Sequence, residues 1–267
     1  AIEKAIKMLL SAEKPVILSG GGVILADAVE ELKEFAEYLQ IPVLTTYMGK
    51  GSFPPTHPLY GGQVGIQCNT PGGNKIFLES DLVLGIGCRF SDRHTGELKS
   101  YIGNRKFIHI DIEPTQIGRI VPTELGIVSD AKLALESLID AAKDITPKRE
   151  PSDWSNRILD LKKEFVRRMD FDNVPIKPQR VFKEINEFFG EDTIFTAGCG
   201  LVQIWSGQFQ EVSKPRHYLP SGGAGTLGYE VPAAIGAKVA KPDKTVVAIV
   251  GDGGLLFMGE ELAMACQ

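Results

Sequence analysis

Short apolar runs alternate with amphipathic stretches along the first half of the chain. KPVILSG, IPVLTTY, NKIFLESDLVLGIG, KFIHIDIE and LGIVSD are nearly continuous in apolar residues, whereas ADAVEELKEFAEYLQ and AKLALESLIDAAK repeat them every three or four positions. The first pattern predicts strands buried on both faces and the second predicts helices with one apolar face. Strands of that kind belong to parallel sheets covered by helices on both sides, so a doubly wound α/β layer is expected over residues 1–143.

A polar, Pro-containing stretch, DITPKREPSDW, follows, and WSNRILDLKKEFVRRMD leads on to DNVPIKPQ; residues 144–178 are expected to link two domains. The alternation then restarts over residues 179–267: PQRVFKEINEFFG as a helix, TIFTAGCG as strand and turn, YEVPAAIGAKVAK as a Gly-containing helix, and TVVAIVGDGG as a strand. This second α/β unit has barely begun its sheet at the last residue, so a truncated domain is expected; the helical first residues, without an initiator Met, suggest that sequence also precedes residue 1.

Composition narrows the function classes. The 267 residues are 43% hydrophobic and 24% charged, with a formal net charge of −5. That balance shows no bias toward polyanions, so neither nucleic acid nor an anionic membrane is an expected partner. No apolar run reaches the length of a membrane span and no basic, cleavable leader opens the chain, which points to a cytoplasmic protein. Cys68, Cys88, Cys199 and Cys266 are too far apart for a CxxC pair and read as reduced thiols.

Ligands of open parallel sheets sit beyond the carboxyl ends of the strands. Four such places carry unusual residues. Gly20-Gly21-Gly22 after VILS could let backbone amides approach a phosphate, or could serve only tight packing. Tyr47-Met48-Gly49-Lys50-Gly51 follows VLTT. Cys88-Arg89-Phe90-Ser91-Asp92-Arg93-His94 follows LVLGIG and puts two fixed cations and a carboxylate beyond a buried strand, suited to an anionic ligand with hydroxyls. Asp111 and Glu113 in FIHIDIEP, and Asp130 in VSDA, stand where ribose hydroxyls are bound in dinucleotide folds. Together these imply a nucleotide-sized ligand. Of the four histidines, His109 reads as a sheet residue and His57 as a loop residue, while His94 and His217 each follow an Arg and could touch a ligand.

In the second unit, strand TVVAIV delivers Asp252 between glycines at the start of a helix, in Gly251-Asp252-Gly253-Gly254. Such a turn can close round a phosphate, and the carboxylate is a hard ligand suited to Mg²⁺. A plain βα turn would also explain it. The longer string SGGAGTLGYEVPAAIGAKVAKPDKTVVAIVGDGGLLFMGEELAMA resembles the diphosphate-binding domain of thiamine-diphosphate-dependent enzymes of the acetohydroxyacid synthase group.

This resemblance implies that Asp252 binds Mg²⁺, that Leu227 wedges the cofactor into its bent form, and that Gly200, Leu201, Val202, Gly222 and Gly223 join Gly251, Gly253 and Gly254 around thiamine diphosphate. It implies a flavin adenine dinucleotide (FAD) site in the first domain, at Gly20, Gly21, Gly22, Met48, Gly49, Gly85, Arg89, Asp92, Arg93, Asp111, Ile112, Ser129 and Asp130. It also implies a homo-oligomer acting on small 2-oxo acids. NRKFIHIDIEPTQIGR, RHTG, FDNVPIKPQRVFKEIN and KPRHY are similar to the glyoxylate carboligase branch, while Trp205 is more synthase-like. The activity implied is decarboxylating carboligation, of glyoxylate to tartronate semialdehyde or of pyruvate to acetolactate. A noncatalytic nucleotide-binding module is the rival from another class.

Overall fold

The computed structural model describes residues 1–266, divided between two compact units, Ala1–Val166 and Arg167–Gln267. In the first, six strands form one parallel sheet: β1 (Pro15–Ser19), β2 (Val43–Thr45), β3 (Tyr60–Gln63), β4 (Leu82–Ile86), β5 (Lys106–Asp111) and β6 (Leu125–Val128). Their spatial order is β3-β2-β1-β4-β5-β6. The order reverses between β1 and β4, whose registers pair Pro15 with Leu82 and Ser19 with Ile86, so the crevice expected of a doubly wound sheet opens beyond Ser19 and Ile86.

Both faces are buried along β1, β2 and β4 and most of β5, as their continuous apolar runs require, whereas β6, expected to be buried on both faces, is an edge strand that leaves Gly126 and Val128 exposed. Successive residues point to opposite sides: Ile17 joins Ile6, Leu9, Leu32, Phe35, Leu84, Ile108 and Leu135 in one core, while Val16 and Leu18 join Leu44, Ile76, Phe77, Val83 and Phe107 in the other. The first core is covered by α1 (Ile2–Ser11), the short α2 (Gly21–Leu25) and α3 (Val29–Leu39). On the opposite side stands α4 (Pro71–Glu79), started by Thr70, whose hydroxyl accepts from the Gly73 amide at 3.1 Å, and by Pro71. Two short helices, α5 (Asp92–Thr95) and α6 (Leu98–Ile102), follow β4, and α7 (Ala131–Ile145) returns to the first core.

The stretch expected to link the domains contributes instead a helix of the first unit, α8 (Asp153–Glu164). A reciprocal Ser152–Ser155 cap starts it, Ile158 and Leu161 are buried in the second core, and the Trp154 indole N–H donates to the Pro15 carbonyl at 2.8 Å. Its apolar residues lie on one helical face that covers β-sheet otherwise open to water, which outweighs the polar composition that suggested a linker. One strand of this sheet escapes the sequence pattern. β3 reads YGGQ, with too few β-forming side chains to signal a strand, and it forms because its backbone pairs with β2. The run NKIFLESDLVLGIG divides between α4 and β4.

In the second unit, α9 (Pro178–Phe188) precedes β7 (Ile194–Ala197), α10 (Leu201–Phe209) precedes β8 (Tyr218–Pro220), and α11 (Glu230–Ala240) precedes β9 (Val246–Ile249), after which come α12 (Asp252–Met258) and the single-turn α13 (Leu262–Ala265). The three strands are parallel in the order β8-β7-β9. Phe182, Ile194, Phe195, Ala197, Tyr218 and Val231 are buried within it. One carboxylate ties the other end of this sheet: Asp192, just before β7, accepts from Lys214 at 2.5 Å and from Lys244 at 3.1 Å, which precede β8 and β9.

Candidate functional site

At the switch point of the first unit the glycine run does something other than present its amides. The Gly20 N–H donates to the Ile86 carbonyl at 2.9 Å and the Gly22 N–H to the Gly87 carbonyl at 3.1 Å. A Cβ on Gly20 would stand 2.1 Å from the Gly87 oxygen, and one on Gly22 would stand 2.6 Å from the Gly87 Cα. These glycines let the ends of β1 and β4 touch backbone to backbone, and two of the amides expected for a phosphate are already engaged. Gly49 is likewise set by packing, since a Cβ there would lie 2.2 Å from the Ser19 carbonyl oxygen. Gly85 makes room for the Phe90 ring, 2.6 Å from its would-be Cβ, as Phe90 turns back at φ 51°.

Several other expected residues do gather at this edge. Gly21 adjoins Met48, whose Cβ lies 3.1 Å from a Cβ built on Gly21. Arg89, Asp92 and Arg93 are exposed beyond β4, and Ile112 is exposed beyond β5. The carboxylates are partly committed. Asp111 Oδ1 accepts from the Glu113 amide at 3.0 Å, Glu113 Oε1 accepts from the Thr115 amide and hydroxyl, and Asp130 caps α7 by accepting from the Lys132 amide at 2.8 Å. The Ser129 amide donates to the Asp111 carbonyl at 3.0 Å, so β5 and β6 end together.

Each of the four histidines is held by at least one hydrogen bond within the chain. His57 Nδ1 accepts from the Leu59 amide, which leaves Nε2–H to donate to Glu37 at 2.9 Å. His109 Nε2–H donates to the Cys88 carbonyl at 3.0 Å, and burial lowers its pKa. His94 is paired with the Tyr101 hydroxyl at 2.8 Å, and burial drives its pKa down to about 4, so it is neutral near pH 7 and holds α5 to α6. His217 Nδ1–H donates to the Pro215 carbonyl at 2.9 Å. Burial pushes the Cys68 thiol up to about 11 and the Cys88 thiol up to about 12, which makes both poor nucleophiles.

The second unit brings its expected residues together more completely. Because β7, β8 and β9 are parallel and Ala197 is level with Pro220 and Ile249, all three following turns emerge at one edge of the sheet. Gly200, at φ 117°, starts α10 with Leu201 and Val202. Ser221 links β8 to the next loop: its amide donates to the Ala197 carbonyl at 3.0 Å and its hydroxyl accepts from the Thr226 amide at 2.7 Å, shaping Gly222 to Leu227. Gly251 meets Val202, whose methyls lie 3.7 Å from a Cβ built on that glycine.

Here the glycines differ from those of the first unit. A Cβ on Gly200, Gly223 or Gly253 would meet no atom within 4 Å. Packing within the chain therefore does not demand Gly223 or Gly253, and both face open space, Gly253 next to the exposed Asp252 in the chain and Gly223 in the loop that carries the half-exposed Leu227. A diphosphate fits this chemistry: small residues allow close approach, the turn begins a helix, and an apolar side chain stands alongside. One carboxylate also suits Mg²⁺, which is commonly held by one or two carboxylates together with phosphate oxygens. Among the described residues no cluster of three or more His, Cys, Asp or Glu could hold a metal without such help.

Glu230 is a residue that the sequence reading passes over. It opens α11, is fully buried, and its carbonyl accepts from the Thr196 hydroxyl at 2.7 Å. A charged residue at the head of the otherwise apolar EVPAAIGA was the available signal.

Residues 2–138 match the model of the thiamine pyrophosphate enzyme central domain, and residues 198–267 match that of the thiamine pyrophosphate enzyme C-terminal TPP binding domain. The chain is 48% identical over its whole length to a glyoxylate carboligase of Escherichia coli O157:H7, covering 45% of that protein. It is 47% identical over 98% of its length to a probable acetolactate synthase large subunit of Methanocaldococcus jannaschii, and 44% identical over 99% to an acetolactate synthase large subunit of Corynebacterium glutamicum, covering 45% and 42% of them. The chain thus spans under half the length of these curated relatives. Among its described residues no helix is long and apolar enough to cross a membrane. With both domain models matched in order and the glycine-flanked Asp252 at the shared edge of three parallel strands, the chain belongs to the thiamine pyrophosphate enzyme family, of which it carries the central domain and residues of the C-terminal binding domain.

Proposed function

We propose that this chain is part of a thiamine-diphosphate- and Mg²⁺-dependent carboligase that decarboxylates one 2-oxo acid and joins the remainder to a second carbonyl compound. The observation that carries this reading is the convergence of Gly200–Val202, Gly222–Leu227 and Gly251–Gly254 at one sheet edge, with open space over Gly223 and Gly253. Asp252 would hold Mg²⁺ together with the diphosphate oxygens, and Leu227 would support the cofactor's bent form. Thiamine diphosphate, when bound, supplies the electron sink that makes loss of CO₂ feasible. The chain's contribution is placement: three turns fixed by one sheet hold the cofactor's phosphate end.

The preferred substrate is glyoxylate, giving tartronate semialdehyde and CO₂, a reading supported by the 48% identity to a protein named glyoxylate carboligase. The second reading is conversion of pyruvate to acetolactate, supported at 47% and 44% by proteins named acetolactate synthase, and by Trp205. FAD is proposed for the first unit's switch point, over Met48, Arg89, Asp92, Arg93 and Ile112, in a structural rather than redox role. The protein is proposed to work as a cytoplasmic homo-oligomer.

The test uses the full-length protein with thiamine diphosphate, Mg²⁺ and FAD, offered glyoxylate or pyruvate separately, with the product identified. Tartronate semialdehyde from glyoxylate is expected. Acetolactate from pyruvate, with glyoxylate ignored, selects the second reading, and absence of thiamine-diphosphate-dependent CO₂ release from any 2-oxo acid sinks both.

A further inference from the structure

Neither carboxyl oxygen of the fully buried Glu230 has a hydrogen-bond partner among the described residues. One oxygen lies 1.9 Å from where a Cβ on Gly198 would stand, and the other lies 2.2 Å from a Cβ on Gly254. The side chain therefore fills the space that two glycines leave, between the end of β7 and the first turn of α12. Its own backbone is pinned by the Thr196 hydroxyl. Glu230 thus touches two of the three turns that form the candidate diphosphate cradle.

A buried polar group without a partner weakens a fold, and an apolar side chain of equal length would occupy this slot without that loss. Unsatisfied groups in native proteins call for an explanation, and sites where stability is given up for function supply one. Resting on the reading of this edge as a diphosphate site, we infer that Glu230 is a positioning residue coupled to ligand binding at the Gly251–Gly254 turn: before binding its carboxyl has no donor, and it gains one when the ligand binds. That donor is either an amide of the turn, re-seated as it closes on the diphosphate, or a water held by the divalent cation. A group unpaired before binding and paired after it adds to affinity what it subtracts from stability.

The experiment compares full-length wild type, Glu230→Met and Glu230→Gln. Ligand-free stability is read from denaturant midpoints, and affinity from calorimetric titration with thiamine diphosphate plus Mg²⁺, with Mg²⁺ alone, and with thiamine diphosphate in a chelator. Glu230→Met is expected to unfold at higher denaturant and yet bind thiamine diphosphate plus Mg²⁺ about tenfold more weakly, the scale of one lost hydrogen bond. Glu230→Gln, which keeps shape and polarity, is expected to stay within about threefold of wild type. Weaker binding of Mg²⁺ alone assigns the donor to the cation's water; a loss confined to thiamine diphosphate assigns it to the turn's amides. A Glu230→Met protein that binds as wild type, that loses stability and affinity together, or that does not fold overturns the inference. Wild-type protein that binds no thiamine diphosphate overturns instead the functional reading beneath it.

Discussion

Gly20 and Gly87 meet backbone to backbone at the switch point of the first sheet, with 2.1 Å between the Gly87 carbonyl oxygen and the position a Cβ on Gly20 would take. Neither backbone can move aside without breaking the β1–β4 ladder, to which the Gly20 amide is also joined through Ile86. Gly20→Ala is therefore expected to destabilise the first unit by about 3 kcal/mol or to prevent its folding, as overpacking does at its severe end. Denaturant unfolding of the variant measures this, and an unchanged midpoint would refute the packing account.

Gly253→Ala should behave oppositely. Its new methyl meets nothing within 4 Å in the chain. Stability is expected to change by less than about 0.5 kcal/mol, as for surface substitutions elsewhere. Affinity for thiamine diphosphate is expected to fall at least about tenfold if the open side is ligand space. Equal affinity in a calorimetric titration would remove Gly253 from the cradle.

Asp252→Ala removes the one carboxylate of the Gly251–Gly254 turn. Retention of thiamine diphosphate should lose its Mg²⁺ dependence and fall to background, while FAD stays bound, because the proposed sites lie in different units. Gel filtration with cofactor release and absorbance reads both at once; parallel loss of the two cofactors contradicts this site map.

His94 makes acid sensitivity predictable. Burial holds its pKa at about 4 against an ordinary value of 6.5, and its ring is engaged with Tyr101. The unfolded chain therefore binds a proton that the folded chain refuses between those values. Stability should be fully present above about pH 6.5 and decline as the pH falls toward 4, by about 3 kcal/mol from this group. His94→Phe should flatten that part of the pH–stability curve, and a curve as steep as wild type assigns the slope to other groups.

Asp192 acts at a lower pH. Hydrogen bonds from Lys214 and then Lys244 bring its pKa down to about 2 from 3.8. Its depressed value means that the clamp stabilises the second unit above about pH 3.8 and is lost as the pH falls through 2. Because the pair is exposed and screened, Asp192→Asn is expected to cost little at pH 7 and to lose even that difference in high salt. Thermal melts at two ionic strengths check the point; a large, salt-independent loss would show that the clamp holds the strands by another means.

The fold class was legible in the sequence, because the near-continuous apolar runs of β1, β2 and β4 are satisfied by a parallel sheet with both faces covered. That Asp252 stands between a strand and a helix, flanked by glycines, was legible as well, since that pattern is local, whereas the strand itself, β9, is only half-buried. The sequence did not determine what the glycines were for. The same residue type serves backbone contact at Gly20 and Gly22 and open space at Gly223 and Gly253, and only the neighbours brought in by the fold distinguish the two. The extent of the first unit was hidden for a like reason: α8 is polar in composition, and its few apolar residues matter only once the exposed face of the sheet is there to receive them. The role of Glu230 was decided entirely by tertiary structure, because burial and the absence of a donor are properties of Gly198, Thr196 and Gly254 around it, which lie 24 to 34 residues away in sequence and come together only when β7, α11 and α12 pack.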